Sequence, residues 1–169
     1  MPRGPSIALS GAPGSGKSSI AKLAESDGWR IISVKSLAEN HGFLGPHDSE
    51  EGAQEIDIDA LRIALGPIEG PLIIDGHLSH RLEVDAIAIL RCEPSILQNR
   101  LKARDYPAWK IESNVEWELM GGTWAEVEIE TVAEFETTSC EIDDVWDEIR
   151  GWISEGHPRR DPFIDWLND

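Results

Sequence analysis

Apolar positions along the chain fall into short continuous runs separated by polar stretches with helical spacing. Ser6 to Ser10 reads as a strand ending at a glycine, and Ser18 to Ser26 as a helix with Ile20, Ala21, Leu23 and Ala24 on its apolar side. Trp29 to Val34 predicts a second strand, followed by the short helical piece "KSLAEN". Ile58 to Leu65 reads as a helix that stops at Gly66 and Pro67. Leu72 to Asp75 and Ala86 to Arg91 have the unbroken apolar character of strands buried on both faces. Glu93 to Arg104 predicts a helix with proline in its first turn. "DYPAW" interrupts, and a long acidic helical segment follows, weakened at Gly121 and Gly122. Val132 to Thr137 predicts the last strand. Asp143 to Ser154 is an amphipathic helix carrying Val145, Trp146, Ile149, Trp152 and Ile153.

Strands alternating with helices imply βαβ units and a mostly parallel sheet with helices on both faces. The pattern has no internal repeat and no interdomain linker, so residues 1–169 form a single α/β domain. Two segments break the alternation. The first, 41–57, is polar, acidic and glycine-rich; the second, 105–110, follows the fourth helix. Excursions of this kind in a compact domain are commonly functional, so both are expected to be mobile elements around a site. The tail from His157 carries Phe163, Ile164, Trp166 and Leu167, enough to dock back on the domain or to meet a partner.

Charge narrows the functional classes. The net charge is −17, from 15 basic and 32 acidic residues. Broad nucleic-acid binding by phosphate neutralisation is excluded by that balance. A basic protein partner or a salty cytoplasm would suit it. Between Lys110 and Arg150 there is no basic residue but there are thirteen acids, which read either as a solvated surface or as a docking surface for something basic. No apolar run is long enough to span a membrane, and no apolar leader precedes the glycine-rich loop. Cys92 and Cys140 are far apart and in no metal-like spacing, which predicts buried or half-buried structural thiols and a cytoplasmic setting.

The chemistry is carried by three groups. "GAPGSGKS" satisfies G-x-x-x-x-G-K-[ST] through Gly11, Gly16, Lys17 and Ser18, between a predicted strand and a predicted helix. Its backbone N–H groups and the helix N-terminus make an anion nest; Lys17 brings a cation to nucleotide phosphates, and Ser18 a hydroxyl to Mg²⁺. Asp75 ends an apolar strand, where a P-loop protein holds the magnesium shell through water, although a strand-end turn residue would look the same. His77 stands at the carboxyl end of that strand and fits either a structural or a catalytic role. His80 reads as a surface histidine. Arg100 and Arg104, four apart, share a helix face beside the break at Tyr106–Pro107; they fit a phosphate clamp or a pair of solvated arginines. N-K-x-D, the motif that reads guanine, is absent.

"GAPGSGKSS", "IISVKSLAEN", "IDGH" and "LQNRLKARDY" resemble, in order and spacing, the adenylate kinase isoenzyme 6 family, over roughly residues 6 to 155. That family includes the coilin-interacting nuclear ATPase and archaeal proteins of adenylate kinase type. The resemblance implies a P-loop NTPase fold of the nucleoside monophosphate (NMP) kinase type, with 41–57 as the NMP-binding insert and 105–110 as a short lid. It implies ATP contacts at Gly14, Gly16, Lys17, Ser18, Ser19 and Arg104, a magnesium-side aspartate and its histidine at Asp75 and His77, and an adenine-contacting loop around Thr138. Where the family often has "GDLAR", this chain has "KSLAE". Glu39 replaces an arginine that would face the monophosphate, which predicts weakened AMP binding unless Lys35 compensates.

Two activities therefore follow. One is ATP + AMP to 2 ADP, with Lys17, Mg²⁺ and Arg104 offsetting charge on the transferred phosphoryl group. The other is an ATPase that assists small ribosomal subunit assembly through a basic ribosomal protein of the pre-ribosome, with His77 positioning water. A small-metabolite kinase of the shikimate or gluconate type shares the P-loop and the size. It would need arginines to hold a carboxylate, and the 41–57 insert has none.

Overall fold

In the computed structural model, which describes residues 3–48 and 53–168, five parallel strands form the central sheet. They are β1 (Ser6–Ser10), β2 (Ile31–Ser33), β5 (Leu72–Asp75), β6 (Ala86–Arg91) and β7 (Val132–Glu136), in the order β2-β5-β1-β6-β7. The unbroken apolar runs lie at its centre because both sheet faces are covered. Ile7 and Leu9 point into one core and Ala8 into the other; Ala86, Ala88 and Leu90 alternate in the same way with Ile87 and Ile89.

Helices α1 (Lys17–Ser26) and α7 (Ile142–Ser154) cover the first face. Ile20, Ala21 and Ala24 meet Val145, Trp146, Ile149 and Trp152 there. Helices α2 (Val34–His41) and α3 (Ile58–Leu65) cover the other through Val34, Ala38, Ile58 and Leu61. A third cluster of Ala12, Cys92, Leu97, Leu101 and Ile111 joins the glycine-rich loop to α4 (Pro94–Ala103) and α5 (Ala108–Leu119). The α/β expectation thus holds, with helices on both faces.

Several boundaries differ from the sequence reading. The second strand is only three residues long, because Ser33 Oγ accepts from Ser36 N at 3.0 Å and caps a helix that already begins at Val34. The 41–57 insert contains an antiparallel pair, β3 (Leu44–Asp48) and β4 (Ala53–Ile56), with Leu44 opposite Ile56. The part of the insert at 49–52 lies outside the described residues. At 105–110 the break is shorter than expected, because α5 starts at Ala108. Gly121, with φ 66°, ends the acidic segment, and the short α6 (Gly122–Ala125) follows. Cys92 is buried as expected, but Cys140 is exposed, and both are free thiols.

The tail docks on the domain. Phe163 N and Ile164 N donate to Glu134 Oε1 at 2.6 and 2.8 Å, and Trp166 Nε1 donates to Glu118 Oε1 at 2.9 Å. Among the described residues no helix is long and apolar enough to cross a membrane.

Candidate active site

The strand order places the site. From β1 the chain crosses to β2 at one edge, while from β5 it crosses to β6 on the far side of β1. The carboxyl ends of β1 and β5 lie side by side, with Leu9 in register with Asp75. Connections leaving adjacent parallel strands in opposite directions open a crevice at those ends. A cavity of about 660 Å³ lies there.

Its floor is the loop after β1. Gly11 has φ 138°, and a Cβ there would stand 2.6 Å from the Leu90 carbonyl oxygen, so the turn requires glycine. Gly16 has φ 108° at the N-terminal end of α1, where Gly14, Gly16, Lys17 and Ser18 all line the cavity. Lys17 Nζ donates to the carbonyls of Gly11 and Ala12 at 2.8 Å each. Burial, reinforced by the nearby Arg104 and opposed by Asp75, lowers its pKa from 10.5 to about 8.

Asp75 and His77 form the wall contributed by β5. Burial raises the Asp75 pKa, with Lys17 acting in the opposite direction. His77 is accessible from the cavity, but the enclosing walls desolvate its imidazole. With the charges of Lys17, His80 and Lys110, they bring its pKa down to about 4, so it is neutral at neutral pH.

Arg104, Tyr106, Lys110 and Asn114 line the cavity from the α4–α5 side. Lys110 Nζ sits 4.6 Å from the Tyr106 ring centroid. From the other side come Val34 and Lys35 of α2, and Leu44, Glu55 and Ile56 of the β3–β4 pair. Seven arginines of this acidic chain are paired with carboxylates, yet among the described residues none pairs with Lys17, Lys35, Arg104 or Lys110. Four cations without a salt-bridge partner, against the two carboxylates of Asp75 and Glu55 on the same wall, leave a net positive lining that suits a multiply charged anion.

Residues 7–121 match the family model described as "AAA domain". A protein called "Putative adenylate kinase" from Thermococcus onnurineus is 39% identical, covering 96% of this chain and 92% of that one. Those of the same name from Archaeoglobus fulgidus and Methanocaldococcus jannaschii are 35% and 31% identical, over 96% and 95% of this chain and 92% of each relative. The chain belongs to this archaeal family of P-loop phosphotransferases. Among solved structures, a shikimate kinase from Acinetobacter baumannii has a TM-score of 0.61 at 16% identity, covering 90% of this chain and 94% of that one. A gluconokinase from Sinorhizobium meliloti has 0.56 at 20%, covering 90% and 93%. At such identities these likenesses describe the fold alone.

Most of the expected site residues line the cavity, but not all reach it. Lys17, Ser18, Gly14, Gly16, Asp75, His77 and Arg104 line it together. Ser19 is exposed on α1 away from its wall. Arg100 donates to Gly14 O at 3.2 Å and Thr137 O at 2.9 Å, so it straps the phosphate loop to the 137–138 loop. Thr138 Oγ1 accepts from Glu93 N at 2.8 Å, and its neighbour Thr137 donates to Ser15 O at 2.6 Å. His80, expected at the surface, is buried against Ser10 and Glu126. Glu39 is exposed and does not line the cavity, because it lies one helical turn beyond Lys35. Lys110 and Asn114 escaped the sequence reading, although their i, i+4 spacing after Pro107 put them on one helix face.

The donors present fit a magnesium ion. Ser18 and Asp75 line the same cavity, and neither side chain has a hydrogen-bond partner among the described residues. One hydroxyl and one carboxylate suit an ion that keeps several waters and takes phosphate oxygens.

Proposed function

We propose that this protein transfers the γ-phosphoryl group of ATP to AMP, forming two molecules of ADP, and hydrolyses ATP as a slower side reaction. The observation that carries this reading is the set of four unpaired cations lining one cavity in a chain of net charge −17. A base fits beside Val34, Leu44 and Ile56, the apolar part of the wall. The phosphate loop holds the β- and γ-phosphates of ATP, and Mg²⁺ bound at Ser18, and at Asp75 through water, would withdraw charge from them. Lys17 and Arg104 stabilise the charge that spreads over the transferred group as its bond to ADP breaks and its bond to AMP forms. Lys35 and Lys110 come from elements on opposite sides of β1, suited to holding the acceptor phosphate between them. Glu39, off the wall, makes no direct contact with a phosphate held there. Neutral His77 has a free ring nitrogen to orient a polar group or, when AMP is absent, the attacking water.

A coupled assay with ATP and each of AMP, dAMP and CMP tests this. ADP should form with AMP above the hydrolytic background; no acceptor-dependent ADP would sink the reading. Lys35→Ala should raise the KM for AMP about tenfold or more, the size of a charge-assisted hydrogen bond, with a smaller effect on the KM for ATP.

A second reading, an ATPase acting on small-subunit assembly through a basic ribosomal protein, is favoured by the exposed acids Glu112, Glu116, Asp143 and Asp144, none of which pairs with a cation among the described residues. Stimulation of hydrolysis by such a protein at high salt would support it. No binding at any salt concentration would remove it.

A further inference from the structure

The buried histidine His80 takes no part in the chemistry above. Its side chain is only 1% exposed, yet both ring nitrogens are engaged: Nδ1 lies 2.7 Å from Ser10 Oγ and Nε2 lies 3.0 Å from Glu126 Oε1. Glu126 also accepts from Arg81 Nη1 at 2.8 Å, and Arg81 Nη2 reaches Asp59 at 2.9 Å. A carboxylate facing a guanidinium is an acceptor, so Nε2 carries the hydrogen. Burial, with the Arg81 and Lys17 charges, holds the imidazole below its ordinary pKa, although Glu126 opposes this. The ring is then neutral, Nδ1 is an acceptor, and the Ser10 hydroxyl donates to it.

Serine, histidine and carboxylate in hydrogen-bonded order suggest a nucleophile, but the structure excludes that role. Ser10 is completely buried and does not line the cavity. What Ser10 does touch is the catalytic turn. Its one hydrogen goes to His80, so its Oγ only packs against the His77 carbonyl oxygen at 3.3 Å, and the next residue, Gly11, accepts from Lys17. The same turn is tied to β1 by Gly76 N to Leu9 O at 3.3 Å and by Ser79 Oγ to Leu9 O at 3.1 Å. A chain of hydrogen bonds therefore runs behind the cavity, from Glu126 at the end of α6 through His80, three residues past His77, to Ser10 at the root of the phosphate loop.

We propose that His80 is a positioning residue: through Ser10 it holds the Asp75–His77 turn against the root of the phosphate loop, and Glu126 fixes the ring that does so. An apolar residue would fill the same volume without the desolvation cost of a buried imidazole. The polar network gives the turn a single orientation, because each member has a defined partner. Asp75, on the magnesium side, and Lys17, on the phosphate side, are thereby held in one register.

The inference rests on the role given to His77 above, so the test has one readout in turnover and one independent of it. The variants are His80→Phe, which keeps a ring and removes both hydrogen bonds; His80→Gln, which can still bridge Glu126 and Ser10; Ser10→Ala; and His80→Phe with Ser10→Ala. Circular dichroism and thermal melting check that each is folded. His80→Phe and Ser10→Ala should each lower kcat about tenfold with the KM for ATP within about twofold, a loss expected from misplacing a reacting group. The double variant should be no worse than His80→Phe, since both act along one path, and His80→Gln should recover most of the loss. Unchanged kcat in folded His80→Phe, or losses that multiply in the double variant, would overturn the proposal.

Should His80→Phe fail to fold, Ser10→Ala and His80→Gln carry the test. In nuclear magnetic resonance spectra the ring signals of His77 should move in Ser10→Ala. Signals that stay in place overturn the coupling whatever the enzyme's activity. A wild-type protein without phosphotransfer whose His77 signals do move would defeat the proposed function and leave the positioning intact.

Discussion

Arg91→Met is expected to be among the most destabilising single substitutions in this protein. Arg91 ends β6 with its side chain 3% exposed, between two equally buried carboxylates. Its Nε donates to Glu118 Oε1 at 2.9 Å and its Nη1 to Glu134 Oε2 at 2.8 Å. Glu118 belongs to α5 and Glu134 to β7, and both accept from the docked tail. Removing the guanidinium leaves two buried charges facing each other without a cation. Breaking a buried pair in this way costs about 3–5 kcal/mol, a large share of the ~5–15 kcal/mol that a domain has. For a chain of this size the melting temperature should fall by roughly 6–20 °C. Urea denaturation followed by circular dichroism measures the loss. The decisive control adds Glu118→Gln and Glu134→Gln to Arg91→Met. The two amides remove both charges and keep acceptor oxygens for Trp166, Phe163 and Ile164, while the amide nitrogen that takes the place of Glu134 Oε2 faces Trp124 Nε1 and leaves that donor unpaired, so part of the stability should return. A single-variant loss below about 1 kcal/mol, or a triple variant no more stable than the single, would refute the reasoning.

Lys17→Ala should lower turnover by at least about a hundredfold, since that cation acts where charge develops in transfer; normal turnover in a folded variant would refute the phosphate-loop assignment. Because burial lowers Lys17 to about 8, the free protein loses this proton above that pH, whereas bound phosphates favour the charged ammonium. Nucleotide binding should therefore take up protons near pH 8 and weaken as pH rises further, which calorimetry in buffers of different ionisation enthalpy would detect. The same shift has a stability consequence: between about 8 and 10.5 the folded state binds fewer protons than the unfolded, so the free protein should gain stability across that window. In Gly122→Ala the new Cβ would stand 2.2 Å from the Trp117 ring, and repacking should cost about 1–3 kcal/mol in a denaturant titration.

The legible parts of the sequence were those whose cause is local. Ser6–Ser10, Leu72–Asp75 and Ala86–Arg91 read as strands because each holds an unbroken apolar run, 7–9, 72–74 and 86–90, buried on both faces. The phosphate loop was legible because its glycines, lysine and serine serve a single turn of backbone. The β3–β4 pair was not, because its two short strands pair with each other and lack an alternating apolar pattern. His80 looked like a surface residue because what permits its burial, Glu126, stands 46 positions away.

From the sequence alone came the α/β alternation, the phosphate loop, the strand-end Asp75 and the adenylate kinase-like resemblance, because periodic burial and turn chemistry depend on neighbours along the chain. Tertiary structure decided which cations face the cavity. Sheet order brings Lys35 and Lys110 toward one space, the length of a helical turn removes Glu39 from it, and Arg100 becomes a strap while Arg104 remains on the wall. The tail's attachment was likewise decided by Arg91, Glu118 and Glu134, which meet only when β6, α5 and β7 are packed. Such contacts join residues tens of positions apart, and nothing in the local pattern of any one of them specifies the others.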